Sequence, residues 1–471
     1  PENATFTTTY QFDSYGNPTY IKEVHSLRTV ETTNTYAKYG GWGPANRLTS
    51  STVKSTYSGK PAYTRTASYY YDSRGNLTKE VSDNGVTTLY LLNSAGVATN
   101  ITVTASGEPT STAEFAYDTW SRFVINTEDA LGQVTIQKYN SGTGALLEST
   151  AINGLKTEYQ YDGFGRLIKT KTPEGNNILI NRIGGPSNAP QYCAYAIETI
   201  PDGKPKSTVY YDILGRELRS EVESPGGKIS TEKSYNAKGQ LTSETAPHYS
   251  GDPIITTTYS YDIFGRVTAE TTNGRTTTYN YSGTQVITTT PAGHKFTKVY
   301  NAIGNLISVT DNGGSASYSY HSSGQVQGIS TGGLTTTIMY DNFGRQLSIS
   351  DPSAGKVEYS YYPSGKLRTQ KDARGNTYSY SYDALGRTFK ISGPDENITY
   401  YYESNGGGKG MVSSITNTAN ATQKSYKYDN FGRLAEFTDK VDGVELVSSY
   451  EYDKYGNNIK HIYPSGYLIN N

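Results

Sequence analysis

The stretch TTTYSYDIFGRVTAETTNG, residues 256–274, contains the pattern that decides the fold. Its flanks, TTTYSY and VTAETT, consist mainly of Thr and Tyr with one Val, residue types that suit the pleated surface of a β-strand. Between the flanks, the Asp262 side chain can accept a hydrogen bond from the backbone amide two residues later, and Gly265 can adopt the positive φ of a tight turn. A second glycine, Gly274, closes the stretch. The pattern predicts a β-hairpin followed by another turn.

The same pattern recurs along the chain. The sequence aromatic-Asp-x-x-Gly-Arg/Asn, called the motif below, occurs nine times, beginning at Phe12, Tyr71, Tyr161, Tyr211, Tyr261, Tyr340, Tyr382, Tyr428 and Tyr452. Looser copies keep a tyrosine and a glycine four residues later, beginning at Tyr235, Tyr300, Tyr320 and Tyr361. Tyr117 keeps Asp118 but has Ser121 at the glycine position, and residues 92–96 form a decayed copy.

Glycines also mark a second, less uniform turn between the motifs. In the central part of the chain they recur about every ten residues, which leaves room for strands of roughly six or seven residues but for no helix of ten. We therefore predict an all-β fold, a long antiparallel meander of β-hairpins.

Each motif predicts one turn. Its Asp caps the backbone, its Gly takes the positive φ of a type I turn with a bulge, and the following Arg lies within reach of the Asp. A surface ion pair of this kind contributes about 0–1 kcal/mol, so it tunes the turn. The residues assigned a structural role in the repeat are Tyr71, Asp72, Gly75, Tyr161, Asp162, Gly165, Arg166, Tyr211, Asp212, Gly215, Arg216, Tyr261, Asp262, Gly265, Arg266, Tyr340, Asp341, Gly344, Arg345, Tyr382, Asp383, Gly386, Arg387, Tyr428, Asp429, Gly432, Arg433, Tyr452, Asp453 and Gly456.

Tyrosines two residues apart precede most motifs, as in Tyr259/Tyr261 and Tyr359/Tyr361. Alternate residues of a strand share one face, so stacked hairpins should form a ladder of rings. Some forty strands at ~4.8 Å spacing would make a sheet ~190 Å wide, which a twisted sheet does not sustain while open. We therefore expect the meander to spiral into a hollow shell or part of one.

Composition narrows the function classes. The chain has 45 Tyr, a single Cys and a net charge of −1. A near-neutral chain lacks the basic stripe typical of nucleic-acid binding, and no apolar run approaches the ~20 residues of a membrane span. Cys193 is interpreted as a buried structural thiol.

Candidate chemistry is sparse. The histidines, His25, His248, His294, His321 and His461, are scattered, without metal-ligand spacing. Gly406–Gly410 could bind phosphate, but it lacks the following Ser/Thr and helix, which favours a hairpin turn. The motif aspartates could bind calcium, yet each turn offers one carboxylate, which favours capping. We predict no catalytic, metal or cofactor site. The Tyr rows could alternatively form a sugar-binding platform.

Two stretches break the rhythm. Residues 1–60 are interpreted as an irregular N-terminal entry segment, with Gly40–Pro44 as a Gly/Trp-containing break, and residues 61–471 as the repeat sheet. Residues 176–206, around Cys193, are interpreted as an irregular insertion, cap or strand crossing. A new repeat opens at Tyr463–Gly466 shortly before Asn471, so we expect a piece of a longer protein.

Three copies carry a family resemblance: YDGFGRL (161–167), YDIFGRV (261–267) and YDNFGRL (428–434) resemble Rhs, or YD, repeats. This family includes bacterial Rhs toxins, B and C components of Tc toxin complexes, wall-associated proteins and teneurins. Residues 46–53 and 59–61 are similar to the early shell region of bacterial members. The resemblance implies a β-sheet cocoon around a toxic polypeptide, in a secreted or cell-surface protein. Asp252-Pro253 and Asp351-Pro352 do not match the family's Asp-Pro-x-Gly motifs, so no autoprotease is carried over.

Two functions follow from the repeats and the resemblance. The first is an encapsulating shell segment of a secreted Rhs/Tc-type toxin, not an enzyme. Its partners would be an enclosed C-terminal toxin or other shell segments of the same or a partner protein. The alternative is a cell-surface adhesion or glycan-binding module on the same scaffold. Neither function involves nucleic acid or a membrane span.

Overall fold

The computed structural model describes residues 6–24, 28–39 and 46–470. Within these ranges all regular elements are β-strands, and no helix is present that could cross a bilayer. The first half of the chain contains β1 (Thr7–Phe12), β2 (Pro18–Val24), β3 (Arg28–Lys38), β4 (Asn46–Tyr57), β5 (Tyr63–Tyr71), β6 (Leu77–Ser82), β7 (Thr87–Leu92), β8 (Ala98–Thr104), β9 (Ser111–Tyr117), β10 (Val124–Asp129), β11 (Val134–Tyr139), β12 (Leu146–Thr150), β13 (Lys156–Tyr161), β14 (Leu167–Lys171), β15 (Asn177–Gly184), β16 (Tyr195–Pro201), β17 (Ser207–Tyr211), β18 (Glu217–Ser224), β19 (Gly227–Tyr235), β20 (Leu241–Thr245) and β21 (His248–Tyr249).

The second half continues in the same way. Its strands are β22 (Thr256–Tyr261), β23 (Val267–Thr272), β24 (Arg275–Ser282), β25 (Gln285–Thr289), β26 (Lys295–Tyr300), β27 (Leu306–Asp311), β28 (Gly314–Tyr320), β29 (Val326–Thr331), β30 (Leu334–Tyr340), β31 (Gln346–Asp351), β32 (Gly355–Tyr361), β33 (Leu367–Lys371), β34 (Thr377–Tyr382), β35 (Thr388–Ser392), β36 (Asn397–Tyr402), β37 (Val412–Asn417), β38 (Thr422–Tyr428), β39 (Leu434–Val441), β40 (Val444–Tyr452), β41 (Asn458–Ile462) and β42 (Leu468–Asn470). The predicted all-β antiparallel fold is confirmed.

The chain divides into two compact units. Unit 1 comprises residues 1–136, 283–285 and 298–448, and unit 2 comprises residues 137–282, 286–297 and 449–471. The predicted division at residue 60 stays a prediction. Residues 1–60 contain β1 to β4, of which β3 and β4 have 11 and 12 residues. Gly40–Pro44 and His25 lie outside the described residues.

Hairpin pairing follows one rule at the motifs. In the β22–β23 hairpin, Tyr259 faces Glu270, and the register shifts by one residue so that Tyr261 faces Val267. The same shift occurs at Tyr71, Tyr161, Tyr340 and Tyr428. It arises because the motif glycine adopts a positive φ, +82° at Gly265, and adds one residue to one side of the turn. Every motif therefore builds a bulged hairpin.

One site in unit 2 departs from a simple meander. Strand β19 pairs with β20 along Lys233–Tyr235 and with β21 along Ile229–Ser230. Pro247 lies between β20 and β21, and because proline cannot donate to a ladder, it interrupts what would otherwise be one strand. Residues 176–206 contain β15, the loop 185–194 and β16. Whether this stretch is an insertion stays a prediction.

The sheet has little enclosed core. Most side chains are half-buried, and the buried ones cluster. In unit 1 the buried cluster includes Ser55, Tyr57, Tyr63, Asn301, Tyr320 and Ser322; in unit 2 it includes Ala196, Thr208, Tyr210, Asp212 and Leu218. Ser55 and Ser322 are fully covered although both are polar. The most deeply buried residues of unit 1 therefore lie where a strand and a turn distant in sequence meet.

Candidate functional site

The motif turn is a compact hydrogen-bonded unit. In the turn of residues 262–266, the Gly265 amide donates to the Asp262 carbonyl, 3.1 Å away. Asp262 Oδ1 accepts from the amides of Phe264 and Arg266, both at 2.9 Å, and Oδ2 accepts from Arg266 Nε at 2.7 Å. The Arg266 guanidinium also lies over the Phe264 ring, 5.1 Å from its centroid. One Asp thus fixes both the backbone and the neighbouring side chain.

These contacts lower the pKa of several motif carboxyls, including those of Asp162 and Asp429. The Arg166 side chain and amide donate to Asp162 and hold the pKa of its carboxyl below the ordinary value. At Asp429, burial alone would raise the pKa, but hydrogen bonds from Arg433 and Phe431 outweigh it and lower the pKa. A carboxylate stabilised in this way remains an acceptor at neutral pH.

Many motif tyrosines link their repeat to the one before it. The Tyr340 hydroxyl donates to the Val326 carbonyl at 2.7 Å, one residue beyond the preceding turn. Burial raises the pKa of Tyr340, so its hydroxyl stays a proton donor. Equivalent bonds, 2.6 to 2.9 Å long, join Tyr71 to Leu48, Tyr117 to Ala98, Tyr261 to Leu241, Tyr361 to Gln346, Tyr382 to Leu367 and Tyr428 to Val412. The sequence predicted stacked rings but not this hydroxyl-to-backbone bond.

Motif arginines provide a second link, toward the next repeat. Arg387 lies 3.8 Å from the centroid of the Tyr402 ring, and Arg345 lies 5.0 Å from that of Tyr361. Such cation–π contacts contribute about 0.5–1 kcal/mol at exposed sites. Tyr, Asp and Arg of one motif therefore bind the repeat before, the turn itself and the repeat after. This explains why the three residue types recur together.

Unit 1 brings distant repeats together along a line that we call the first seam. On one side are turns that lie between motifs, which we call outer turns: 57–60, 82–85 and 105–108. On the other side are turns at motif positions or their looser copies, which we call motif-type turns: 301–305, 321–325 and 362–366. Ser55 Oγ donates to the Ser322 carbonyl at 2.7 Å. Asn301 Nδ2 donates to the Tyr57 hydroxyl at 3.0 Å. The first seam therefore buries polar groups that bond across it, while the buried Ser322 Oγ has no hydrogen-bond partner among the described residues.

Two further contacts extend the first seam. Asn84 Nδ2 donates to the Pro363 carbonyl at 2.6 Å, and the Tyr362 ring lies over Gly107, where a Cβ would come within 3.3 Å of it. The motif-type turn 362–366 therefore contacts two successive outer turns, 82–85 and 105–108.

Glu108 carries the strongest charge contact of the first seam. Its side chain is only 3% exposed. It accepts from Lys366 Nζ at 2.9 Å, from the Ser364 hydroxyl at 2.6 Å and from the Ser364 amide at 3.1 Å. Burial alone would raise the pKa of Glu108, but these hydrogen bonds lower it below the ordinary value.

Unit 2 contains a second seam of the same kind. The motif turn 453–457 lies against the outer turns 172–176 and 201–204. Asn176 Nδ2 donates to the Lys454 carbonyl at 2.8 Å. The Tyr455 ring covers Gly203 so closely that a Cβ there would fall 2.1 Å from it. In both seams, an aromatic ring from a motif turn sits on an outer-turn glycine, and an Asn binds a backbone carbonyl.

Other residues singled out in the sequence have structural surroundings. Gly406–Gly410 forms the loop between β36 and β37, and Arg387 donates to the Gly410 carbonyl at 3.0 Å. His321 stands in the Asp position of a turn and packs edge-on against Tyr63. Cys193 is half-buried, not buried as predicted, because it lies in the loop 185–194, where its thiol contacts the Tyr195 carbonyl at 3.3 Å. The described residues contain no group of three or more potential metal ligands.

The seams were missed at the level of sequence, although one signal was present. Asn301, His321 and Tyr362 replace the motif Asp, and all three lie at the first seam. Asn301 still caps its turn through Oδ1, and its Nδ2 reaches across to Tyr57. Replacement of the motif Asp is thus shared by three turns of the first seam, but it does not by itself identify a seam turn, because Asn93 and Asn236 also replace it and have no described seam contact.

Comparison with known proteins gives two sequence matches. The RHS repeat family model matches residues 139–176, 235–273, 300–337 and 361–396. The tRNA3(Ser)-specific nuclease WapA of Bacillus spizizenii is 30% identical over 206 residues, which amount to 42% of this chain and 8% of WapA. The match thus spans a small part of this relative.

Solved structures share the fold over nearly the whole chain. The TcdB2-TccC3 structure matches with a TM-score of 0.72 and 12% identity, covering 97% of this chain and 36% of that chain. The complex of TcdB2-TccC3 with Cdc42 matches at 0.68 and 11%, covering 97% and 39%. A Tc holotoxin pore from Photorhabdus luminescens matches at 0.66 and 10%, covering 99% and 40%. At such low identity the likeness shows the fold alone.

Proposed function

Because this chain is built of RHS repeats and shares its fold with TcdB2-TccC3, as its motifs predict, we propose that it is a wall segment of a shell that encloses a toxic polypeptide. The observation that carries the proposal is the pair of seams. They bind repeats that lie 244 to 279 residues apart, side by side, within a sheet that has little core of its own. A sheet whose hairpin turns are joined in this way can serve as a wall.

The mechanism is steric and thermodynamic. The seams join the turns of one row of hairpins to the turns of another, so the two rows hold each other in place although the sheet has little enclosed core. Each hairpin contacts mainly its neighbours, so stability accumulates along the array as in a solenoid. A cargo held behind such a wall is shielded from proteases. The partners would be the cargo polypeptide and further shell segments, in the same chain or in a second protein.

The proposal assigns no catalytic role to residues 1–471. The nuclease named among the relatives is matched over 8% of its length, so its activity is not transferred to this chain. We further propose that the complete protein is secreted or displayed at the cell surface, as expected for a toxin delivered to another cell.

Electron microscopy and small-angle scattering of the complete polypeptide test the proposal. A hollow envelope, together with a cargo segment that resists protease until the shell is unfolded, is the expected result. A solid rod with freely digested cargo would refute the shell. Binding to cell-wall polysaccharide on a glycan array, lost when exposed tyrosines such as Tyr192 are replaced, would favour the adhesion function instead.

A further inference from the structure

One edge of unit 2 presents large apolar side chains to solvent. The motif turns 162–166 and 212–216 and the loop 185–194 end successive hairpins on the same side of the sheet, opposite the outer turns of the second seam. Their tips carry Phe164 (86% exposed), Tyr192 (80%), Ile213 (87%) and Leu214 (74%). We call this set the bare edge. Large apolar side chains exposed on one side of a sheet are typical of interaction surfaces.

The two seams show what covers such tips elsewhere. Tyr455 occupies the third position after its motif tyrosine and packs on Gly203, and Phe164 and Leu214 occupy that same position in their own motifs. In each described seam bond the motif-type turn is the later partner in the chain. The separations run from 244 residues for Asn301–Tyr57 to 279 for Asn84–Pro363. The offset is thus similar in both units, with 278 residues for Asn176–Lys454.

We propose that the bare edge docks onto outer turns of RHS repeats that precede Pro1 in the complete polypeptide. A segment 244 to 279 residues before Phe164 or Leu214 falls ahead of Pro1. The inference rests on the proposed function, since it extends the wall by one further course of repeats. It also specifies the chemistry of the partner surface.

That surface has two required features. An outer-turn glycine must receive the Phe164 ring, as Gly203 receives Tyr455 and Gly107 receives Tyr362. An outer-turn Asn must donate to a backbone carbonyl of the motif turn, as Asn84 and Asn176 do. Because the charges nearest these tips, Arg166 and Arg216, are already paired with the motif aspartates Asp162 and Asp212, shape and apolar contact would provide the attraction.

Photo-crosslinking in the complete polypeptide identifies the occupant. The phenylalanine analogue p-benzoylphenylalanine at position 164, and separately at position 214, should crosslink to peptides N-terminal to Pro1, as read by mass spectrometry. Crosslinks to a second copy, to a different protein or to peptides after Asn471 would each overturn the proposal. An upstream sequence without glycine-bearing outer turns would overturn it as well.

Maleimide labelling provides an independent measurement that does not depend on the crosslinking yield. In a Cys193→Ser background, Phe164→Cys and Leu214→Cys should label at least tenfold more slowly than Leu91→Cys, whose position on β7 is 65% exposed. Equal rates would mean that the bare edge remains bare, and would refute the docking. A hollow envelope combined with equal labelling rates would refute this inference but not the proposed function. A solid rod would refute the proposed function, and the crosslinks would then show whether the bare edge is docked.

Discussion

The motif turns 262–266 and 341–345 are nearly identical in their own bonding, yet their surroundings differ. Asp262 and Asp341 accept from the same two amides at 2.8 to 2.9 Å and from the arginine Nε at 2.6 to 2.7 Å. In both, the arginine lies 5.1 Å from the phenylalanine ring centroid. Local sequence therefore suffices to build the turn.

The surroundings separate the two turns. Phe264 is 66% exposed, whereas Phe343 is half-buried and lines a cavity together with Asn84 and Gly107 of the first seam. Identical turns thus serve as bare tips in one place and as contact surfaces in another. The difference shows that the repeat sets the hairpin, and that the neighbouring course of repeats sets its role.

Replacing the turn glycine should have the largest effect and should not distinguish the two turns. Gly265 and Gly344 have φ of +82° and +73°, which a β-branched residue rarely adopts. We expect Gly265→Val and Gly344→Val each to lower the free energy of unfolding by about 2 kcal/mol, judged from the cost of a left-handed conformation. Thermal unfolding and limited proteolysis measure the loss. If both variants kept wild-type stability and protease resistance, the turn assignment would be wrong.

Removing the charge contact of the first seam should have an intermediate effect. Glu108→Ala deletes acceptors for Lys366 and Ser364. Hydrogen bonds to charged groups contribute roughly 1.5–3 kcal/mol, and because Lys366 is 32% exposed and can be hydrated once unpaired, we expect a loss at the lower end of that range. We expect faster hydrogen exchange at the Ser364 amide and a lower unfolding free energy. Glu451→Ala is the matched control, since Glu451 is 54% exposed and pairs with Lys460. A control effect as large as that of Glu108→Ala would contradict a special role for the first seam.

Removing the phenylalanine ring at the tip of the turn should give the smallest effect on stability, and it should distinguish the two turns most clearly. Phe343→Ser removes a half-buried ring, at a cost of roughly 1 kcal/mol given the 1.5–3 kcal/mol for full burial of such a side chain. Phe264→Ser, at a bare tip, should change the unfolding free energy by less than about 0.5 kcal/mol. Chemical denaturation of both variants measures the difference. Equal losses would mean that the exposure of these rings does not reflect their role in stability.

Much of the fold could be predicted because its causes are local. Glycine spacing fixed strand length, and Asp, Gly and Arg in one motif fixed the bulged turn at 262–266 and its copies. The hydroxyl bond from Tyr340 to the Val326 carbonyl was not predicted, because it depends on how far one hairpin is offset from the next. The half-exposure of Cys193 was missed for a similar reason: the loop 185–194 has no repeat pattern from which its packing could be inferred.

The sequence by itself determined that this chain is a series of antiparallel bulged hairpins, since periodic glycines and motif aspartates act within five or six residues. Only the tertiary structure decided which turns are covered. Seam contacts such as Asn301–Tyr57 join residues 244 or more positions apart, and that separation depends on the twist and offset accumulated over many strands. The twist and offset added by each strand are small and cannot be recognised in the sequence of any single motif. Phe264 and Phe343 therefore look alike in the sequence and differ in the folded protein.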